Sequence, residues 1–464
     1  MIERIFKAYD IRATYPDMIN EDTAWKVGYA TALLFQRSRG AMTIGPTVKM
    51  EDTIAVGRDM RAHSPSLSAA LSEGIRAAGM NVIELGPVDT PFVYFAVNHL
   101  DCVGGIQVTG SHSPAQYAGF KLTGPRAKPI GNSSGLEDIR RIASTLRVGK
   151  TGLRGSVQTM DLWSEYRRHV LQFLHLERKL RVAVDASNGM AGWMIPAIFD
   201  NIPELEIIPL LFETDGAFVH EPDPLNPANL KMLREKMAAT TPDLGVCFDG
   251  DADRCVFMDE KGEAIGPDRI TALIAKDLLS RPENKGAAII YDLRSSHVVP
   301  EEIAAAGGQA RRDRCGHTFI KRTLTDTEAL FAGEITGRYY FRDNFNTDSA
   351  AIAFAQVLSI ISHQTLPISA SINPLNRYIQ SGELSFPTVD KDTRIRDLAD
   401  RYRKFEIDYL DGITVDCGDW WFNVRKSNSR PVLRLNMECA TAEMLAEKLA
   451  ELKAFLGPDV AYLA

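Results

Sequence analysis

Asp249, Asp251 and Asp253 stand at alternate positions in Asp249-Gly250-Asp251-Ala252-Asp253-Arg254, directly after the apolar run Leu244-Gly245-Val246-Cys247-Phe248. Crowded carboxylates repel one another, so a positive charge must compensate them. Oxygen-only ligands favour a hard cation, Mg²⁺ or Ca²⁺, over zinc. A magnesium site of this kind keeps open positions for water or a phosphate oxygen, so the loop points to phosphate chemistry. Two other readings compete. An EF-hand calcium loop would draw on Asp249, Asp251, Asp253 and Glu260, but its sixth position wants a glycine for the sharp turn and holds Arg254 here. Its flanks should also be helices, whereas Cys255-Val256-Phe257-Met258 reads as a strand. The last reading is a solvated acidic turn with no ligand.

A second candidate is Ser111, within Val108-Thr109-Gly110-Ser111-His112-Ser113-Pro114. Gly110 permits a tight backbone and Pro114 fixes the exit from the turn. Small neighbours leave the serine hydroxyl accessible. An ordinary polar turn would look the same, with His112 as one of its hydrogen-bonding members.

The elements that must carry these loops recur along the chain. An apolar strand ends in Asp, a polar loop and a helix follow, and a second apolar strand comes next. The copies begin at Ile54-Ala55-Val56-Gly57-Arg58-Asp59, at Val182-Ala183-Val184-Asp185 and at Ala288-Ile289-Ile290-Tyr291-Asp292. Each later yields a further strand ending in a distinctive loop: Thr109 to His112, Asp249 to Arg254, and Gly333-Glu334-Ile335-Thr336-Gly337-Arg338. Such alternation builds α/β layered units, which place ligands beyond their strand ends. The last segment differs. Trp420-Trp421-Phe422-Asn423-Val424 and Val432-Leu433-Arg434-Leu435 alternate like antiparallel strands before a closing helix from Thr441 to Phe455. We expect four domains, 1–150, 151–262, 263–369 and 370–464, with a hinge near Pro367 to Pro374.

At 464 residues the chain exceeds one ordinary core. Its 45% apolar and 24% charged content is that of a soluble globular protein. A net charge of −7 argues against nucleic acid as a partner, so an anionic substrate needs a locally basic pocket. The N-terminus lacks a signal-peptide core, and the apolar stretch from Ala350 to Ile361 is too short to span a bilayer. Six scattered cysteines without a C-x-x-C pair read as reduced thiols, and a cytoplasmic location is expected.

Taken in order, the motifs make the chain resemble the α-D-phosphohexomutases, most closely the bacterial phosphomannomutase/phosphoglucomutase group. Phe6-Lys7-Ala8-Tyr9-Asp10-Ile11-Arg12 is similar to the opening segment, and Gly57-Arg58-Asp59 to the next motif. Thr109 to Pro114 with Gly119-Phe120-Lys121 resembles the nucleophile loop, and Asp249 to Arg254 the metal loop. Gly333 to Gly337 resembles the sugar-recognition loop, and Arg425-Lys426-Ser427-Asn428-Ser429-Arg430-Pro431 the phosphate-binding loop. The resemblance implies three related α/β mixed-sheet domains plus a C-terminal α+β domain around a central cleft. It implies that Ser111 is phosphorylated in the resting enzyme, and that Asp249, Asp251 and Asp253, completed by a phosphoserine oxygen on Ser111, hold Mg²⁺. Arg12 and Arg254 would neutralise phosphoryl charge. Lys121 would be either a general acid/base or a phosphate partner, and His112 lies beside the nucleophile. Glu334 and Thr336 would bind sugar hydroxyls, and His317 and Arg294 match further cleft positions. Arg425, Ser427, Asn428 and Ser429, with Arg434 close by, would anchor the distal phosphate.

The implied reaction interconverts hexose 1- and 6-phosphates of mannose and/or glucose through a 1,6-bisphosphate, which also serves as activator. The implied partner is a small sugar phosphate, and the chain acts as a monomer or homodimer. Some positions depart from the family pattern. Ala13 stands for a glycine, Ser113 for an asparagine, Thr336 for a serine, Arg338 for a histidine and Ser429 for a threonine. Arg338 is expected to add charge beside the sugar loop and so to bear on substrate preference. Phosphoglucosamine mutase, a haloacid-dehalogenase-type phosphatase suggested by Phe248-Asp249-Gly250-Asp251, and a non-catalytic sugar-phosphate binder remain as alternatives.

Overall fold

The computed structural model describes residues 2–7, 9–39, 52–146, 154–427 and 430–460. Among these, the strands form four sheets. In the first, the parallel strands Thr53–Arg58, Asn81–Pro87 and Gly104–Val108 lie side by side, and Gly104–Val108 pairs antiparallel with Tyr117–Thr123. The second repeats this plan. Leu180–Asp185 lies parallel to Leu205–Leu210 and Leu244–Phe248, and the last pairs antiparallel with Cys255–Met258. The third does so again, with Ala288–Asp292, Gln309–Asp313 and Phe331–Gly333 parallel and Tyr339–Phe341 returning antiparallel. The periodic strand–helix rhythm read from the sequence is therefore one topology used three times. In each copy the distinctive loop joins the last parallel strand to its antiparallel return.

The central strands are apolar runs with no alternation, because helices cover both faces. Leu244–Phe248 is buried at every position. The helix Ala350–Ser362 is apolar all round, so it too is buried throughout. Ser349 caps its start by accepting from the Ile352 amide at 3.2 Å. It helps weld the second and third units to part of the first in a single core that runs from Ala55 to Leu375. No helix among the described residues is long and apolar enough to cross a membrane.

The last unit is a fully antiparallel sheet of Ile379–Pro387, Val432–Cys439, Trp420–Lys426, Ile413–Asp416 and Glu406–Asp408, covered by the helix Ala442–Leu456. Its core, from Phe386 to Leu456, is separate. The hinge expected near Pro367 to Pro374 is a short helix, Ile368–Ile372, with Ile368, Ile372 and Leu375 packed into the large core. Pro367 stands immediately before that helix. The expected 150/151 boundary lies outside the described residues. All six cysteines are free thiols, four of them buried.

Candidate active site

The nucleophile loop leaves the buried strand Gly104–Val108 and is shaped by two residues far back in the chain. Asp59 accepts from the Thr109 hydroxyl at 2.7 Å and pairs with Arg61 at 3.1 Å. The Arg61 guanidinium, 1% exposed, donates to the carbonyls of Ser111, Ser113 and Pro114 at 2.8, 2.6 and 2.7 Å. Gly110 is required because a Cβ there would lie 2.6 Å from the Arg61 guanidinium carbon. Ser111 itself adopts φ 50°, a left-handed conformation that costs a side-chain residue on the order of 1–3 kcal/mol. The Arg61 bonds hold it there.

Ser111 Oγ donates to Asp249 at 3.2 Å and lies 3.4 Å from Lys121 Nζ and 3.3 Å from His112 Nδ1. The carboxylates of Asp249, Asp251 and Asp253 are buried, with ligand oxygens within 4.8 Å of one another. Asp249 turns one oxygen back onto its own loop, accepting from the amides of Asp253 and Arg254 at 3.1 Å each. Asp251 accepts from the Thr90 hydroxyl and from Lys121, while its other oxygen is buried with no donor among the described residues. Three hard oxygen donors with an unsatisfied lone pair could hold a hard divalent cation. The flanking strands and the use of Glu260 to accept from Ser369 leave no EF-hand.

The loops of the three repeats touch through backbone. A Cβ on Gly250 would lie 2.5 Å from the Ser111 carbonyl oxygen, so only glycine lets the metal loop approach. The Thr90 amide donates to the Asp251 carbonyl at 3.0 Å, and the Cys255 amide to the Gly337 carbonyl at 3.0 Å.

Charge is distributed unevenly in this cleft. Burial and the neighbouring carboxylates of Asp253 and Asp251 push Asp249 well above the usual carboxylate range. Burial acts likewise on Asp253, but Arg338, Lys121 and Arg254 outweigh it and hold that carboxyl well below. Burial also opposes the Lys121 charge, yet Asp251 and Asp253 more than offset it, so Lys121 stands as an ammonium. Burial, with Arg254 and Arg12 nearby, holds His112 well below the usual histidine range. His317, packed edge-on against Tyr9 at 6.0 Å, is held down by burial and Arg338. Both rings are neutral.

Arg12 donates to Ser113 Oγ at 3.1 Å, and Arg254 lies 3.7 Å from Asp253; each keeps a buried Nε without an acceptor among the described residues. Arg338, expected to add charge beside the sugar loop, is ion-paired. Its guanidinium reaches both oxygens of Asp253, at 2.7 Å for the closer, and lies 3.4 Å from Asp348. Asp348 in turn holds the buried Lys321. Two carboxylates thus share the Arg338 charge.

In the sugar loop, Glu334 is buried and accepts from the Tyr340 hydroxyl, and Thr336 Oγ1 is buried without a partner among the described residues. Arg294 pairs with Asp292 and lies 3.8 Å from Glu334 and 3.6 Å from Glu383. Glu383 binds both Arg425 and Arg434. Ser427 Oγ is buried and unpartnered among the described residues, while Asn428 and Ser429 lie outside them. Charged contacts run from Lys121, beside Ser111, through Asp253 to Arg338 and from Glu334 through Arg294 and Glu383 to Arg425, and the Glu334 amide donates to the Arg338 carbonyl between the two groups. The sequence reading missed Asp59, Arg61, Thr90, Asp348, Lys321 and Glu383. Asp59 alone carried a signal, as part of Gly57-Arg58-Asp59.

Family profiles described as phosphoglucomutase/phosphomannomutase, alpha/beta/alpha domains I, II and III match residues 3–150, 164–262 and 266–378. The phosphomannomutase/phosphoglucomutase of Pseudomonas aeruginosa is 34% identical over 451 residues, covering 95% of this chain and 93% of that protein. The phosphomannomutase of Escherichia coli is 33% identical over 446 residues, covering 93% and 94%. The crystal structure of a phosphoglucomutase/phosphomannomutase family protein from Burkholderia thailandensis superposes with a TM-score of 0.89 at 32% identity, covering 99% of each chain. Similarity of this extent, carried through all three repeats and the antiparallel last unit, means that the chain belongs to the phosphoglucomutase/phosphomannomutase family.

Proposed function

We propose that this protein is a Mg²⁺-dependent phosphohexomutase that interconverts the 1- and 6-phosphates of mannose and/or glucose through a phosphoserine enzyme and a 1,6-bisphosphate. The observation that carries this reading is the placement of Ser111 Oγ, 3.2 Å from Asp249 and 3.4 Å from Lys121 Nζ, at the edge of the carboxylate trio. The four-domain division at 150/151, 262/263 and 369/370, the cytoplasmic location and a monomer or homodimer belong to the same proposal.

Ser111 gives its phosphoryl group to the free sugar hydroxyl. The serine P–O bond breaks as the sugar O–P bond forms, and Lys121 gives a proton to the departing serine oxygen and takes up the one that the sugar hydroxyl loses. Asp249, Asp251 and Asp253, with the phosphate on Ser111 beside them, would hold Mg²⁺, which when bound draws charge from the phosphoryl oxygens. Arg12 and Arg254, each with a buried Nε that makes no hydrogen bond among the described residues, add fixed donors. Arg338 holds Asp253 in place. Neutral His112 and His317 can donate or accept without adding charge. At the far end, Arg425, Ser427, Asn428 and Ser429, with Arg294 and Arg434, take the phosphate that does not react. Glu334 and Thr336 bond sugar hydroxyls in either orientation. The bisphosphate then turns, and Ser111 recovers the other phosphoryl group.

The test is a side-by-side assay of mannose, glucose and glucosamine 1-phosphates with Mg²⁺ and a trace of bisphosphate, in the wild type and in Ser111→Ala. The wild type should turn over mannose or glucose phosphate. The variant should bind sugar phosphate without turnover, and a retained rate would remove Ser111 as nucleophile. A phosphoenzyme that survives hydroxylamine separates phosphoserine from the aspartyl phosphate of a phosphatase.

A further inference from the structure

The distal anchor contains an anion of its own. Glu383 lies on the strand Ile379–Pro387, immediately after a register irregularity between Gln380 and Glu383, where Gly382 takes φ 68°. Such a bulge re-aims the side chain that follows it. Here it turns Glu383 onto Arg434 of the adjacent strand and Arg425 of the next one. The same carboxylate lies 3.6 Å from Arg294 of the preceding unit. Burial works against the Glu383 charge, but Arg425, Arg294 and Arg434 outweigh it and hold the carboxyl down at about 2. One carboxylate therefore faces three guanidiniums, of which Arg294 is also paired with Asp292, so Glu383 is the carboxylate shared by Arg425 and Arg434. Carboxylate and phosphate both take arginine through paired N–H bonds, so either can satisfy the same donors.

We infer that Glu383 is a tethered competitor for the substrate's non-reacting phosphate: its carboxylate covers the donors of Arg425 and Arg434, yields them when the phosphate arrives and re-covers them when it leaves. The inference rests on the reading of Arg425 as the phosphate anchor. Its consequence follows from the reaction. The bisphosphate must release one phosphate from the anchor and present the other. Release that left the donors of Arg425 and Arg434 bare in a half-buried pocket would be slow. A carboxylate already in place lowers that barrier and accepts weaker phosphate affinity in exchange. A carboxylate that merely orients Arg425 for binding predicts the opposite: its removal weakens affinity.

The experiment is calorimetric titration of the full chain with hexose 6-phosphate, together with steady-state turnover, for wild type, Glu383→Gln, Glu383→Asp and Arg425→Ala. Glu383→Gln should bind about tenfold tighter, the scale of one charge-assisted contact, with a lower KM and a lower kcat. Glu383→Asp, which withdraws the charge by one methylene, should fall between it and the wild type, and it carries the test alone if the glutamine variant does not fold. Unchanged or weaker binding in these variants, with Arg425→Ala weakened as expected, overturns the competitor. Undiminished binding in Arg425→Ala overturns the anchor instead.

Discussion

Replacing Arg61 with methionine separates the shape of the nucleophile loop from its chemistry, because Arg61 touches no candidate reacting atom. Its guanidinium donates to the carbonyls of Ser111, Ser113, Pro114 and Tyr117 at 2.8, 2.6, 2.7 and 3.3 Å and pairs with Asp59. Methionine fills similar space but leaves Asp59, fully buried, without its cation. Breaking a buried pair from one side costs about 3–5 kcal/mol, to be read from denaturant unfolding. The catalytic loss has a different origin. Ser111 sits at φ 50° and loses the bond on its carbonyl, so its backbone relaxes. A displacement of about 1 Å at a reacting atom lowers turnover roughly a hundredfold, with little change in KM. Asp59→Asn combined with Arg61→Met removes both charges. It should recover much of the stability while kcat stays low. A folded Arg61→Met enzyme with wild-type kcat, or a double variant that regains rate along with stability, would refute the reasoning.

Arg425→Ala should weaken binding of both 1- and 6-phosphates by roughly thirtyfold, since each orientation uses the same donors; calorimetry with each isomer checks it, and loss for one alone defeats the shared anchor. Burial pushes Asp89 up to about 7, despite bonds from Tyr166 and Phe92, from an ordinary value of 3.8. The folded protein then binds the extra proton between those values. Stability is fully present below about pH 4, falls as pH rises toward 7 and is level above it, a change of at most about 4 kcal/mol. Asp89→Asn keeps an acceptor for Tyr166 and Phe92 and should flatten that slope in unfolding measured from pH 4 to 8. A chelator should abolish turnover without lowering the unfolding midpoint by more than a few degrees. Asp251→Asn should raise the Mg²⁺ needed for half-maximal rate at least about tenfold, and direct Mn²⁺ binding should weaken in parallel.

Much of the architecture was legible because strands and their exit loops are local. Leu244 to Phe248 announces a buried strand, and the residues after it must form its loop. The return strand Cys255–Met258 was equally plain. What no spacing encodes is where a long side chain goes. Arg338 directly follows Gly333 to Gly337 in sequence, yet its side chain reaches Asp253, 85 positions away, because two carboxylates draw a guanidinium more strongly than open cleft does. Arg61 and Glu383 share that difficulty, since their partners are assembled only by the fold.

The seam between the C-terminal unit and the rest is made largely of polar pairs. Arg269 meets Gln380 at 2.8 Å, the His297 amide meets Glu438 at 2.9 Å, Arg312 meets Asp408 and Arg294 meets Glu383, with one stacked ring pair, His297 on Trp421. Water can replace each of those polar partners nearly in kind, which it cannot do for interdigitated leucines. The second and third units and part of the first share one core, whereas the fourth is fastened by clasps that solvent can undo and redo. A protein that must open far enough for a bound molecule to somersault, without shedding it, is well served by that division of labour.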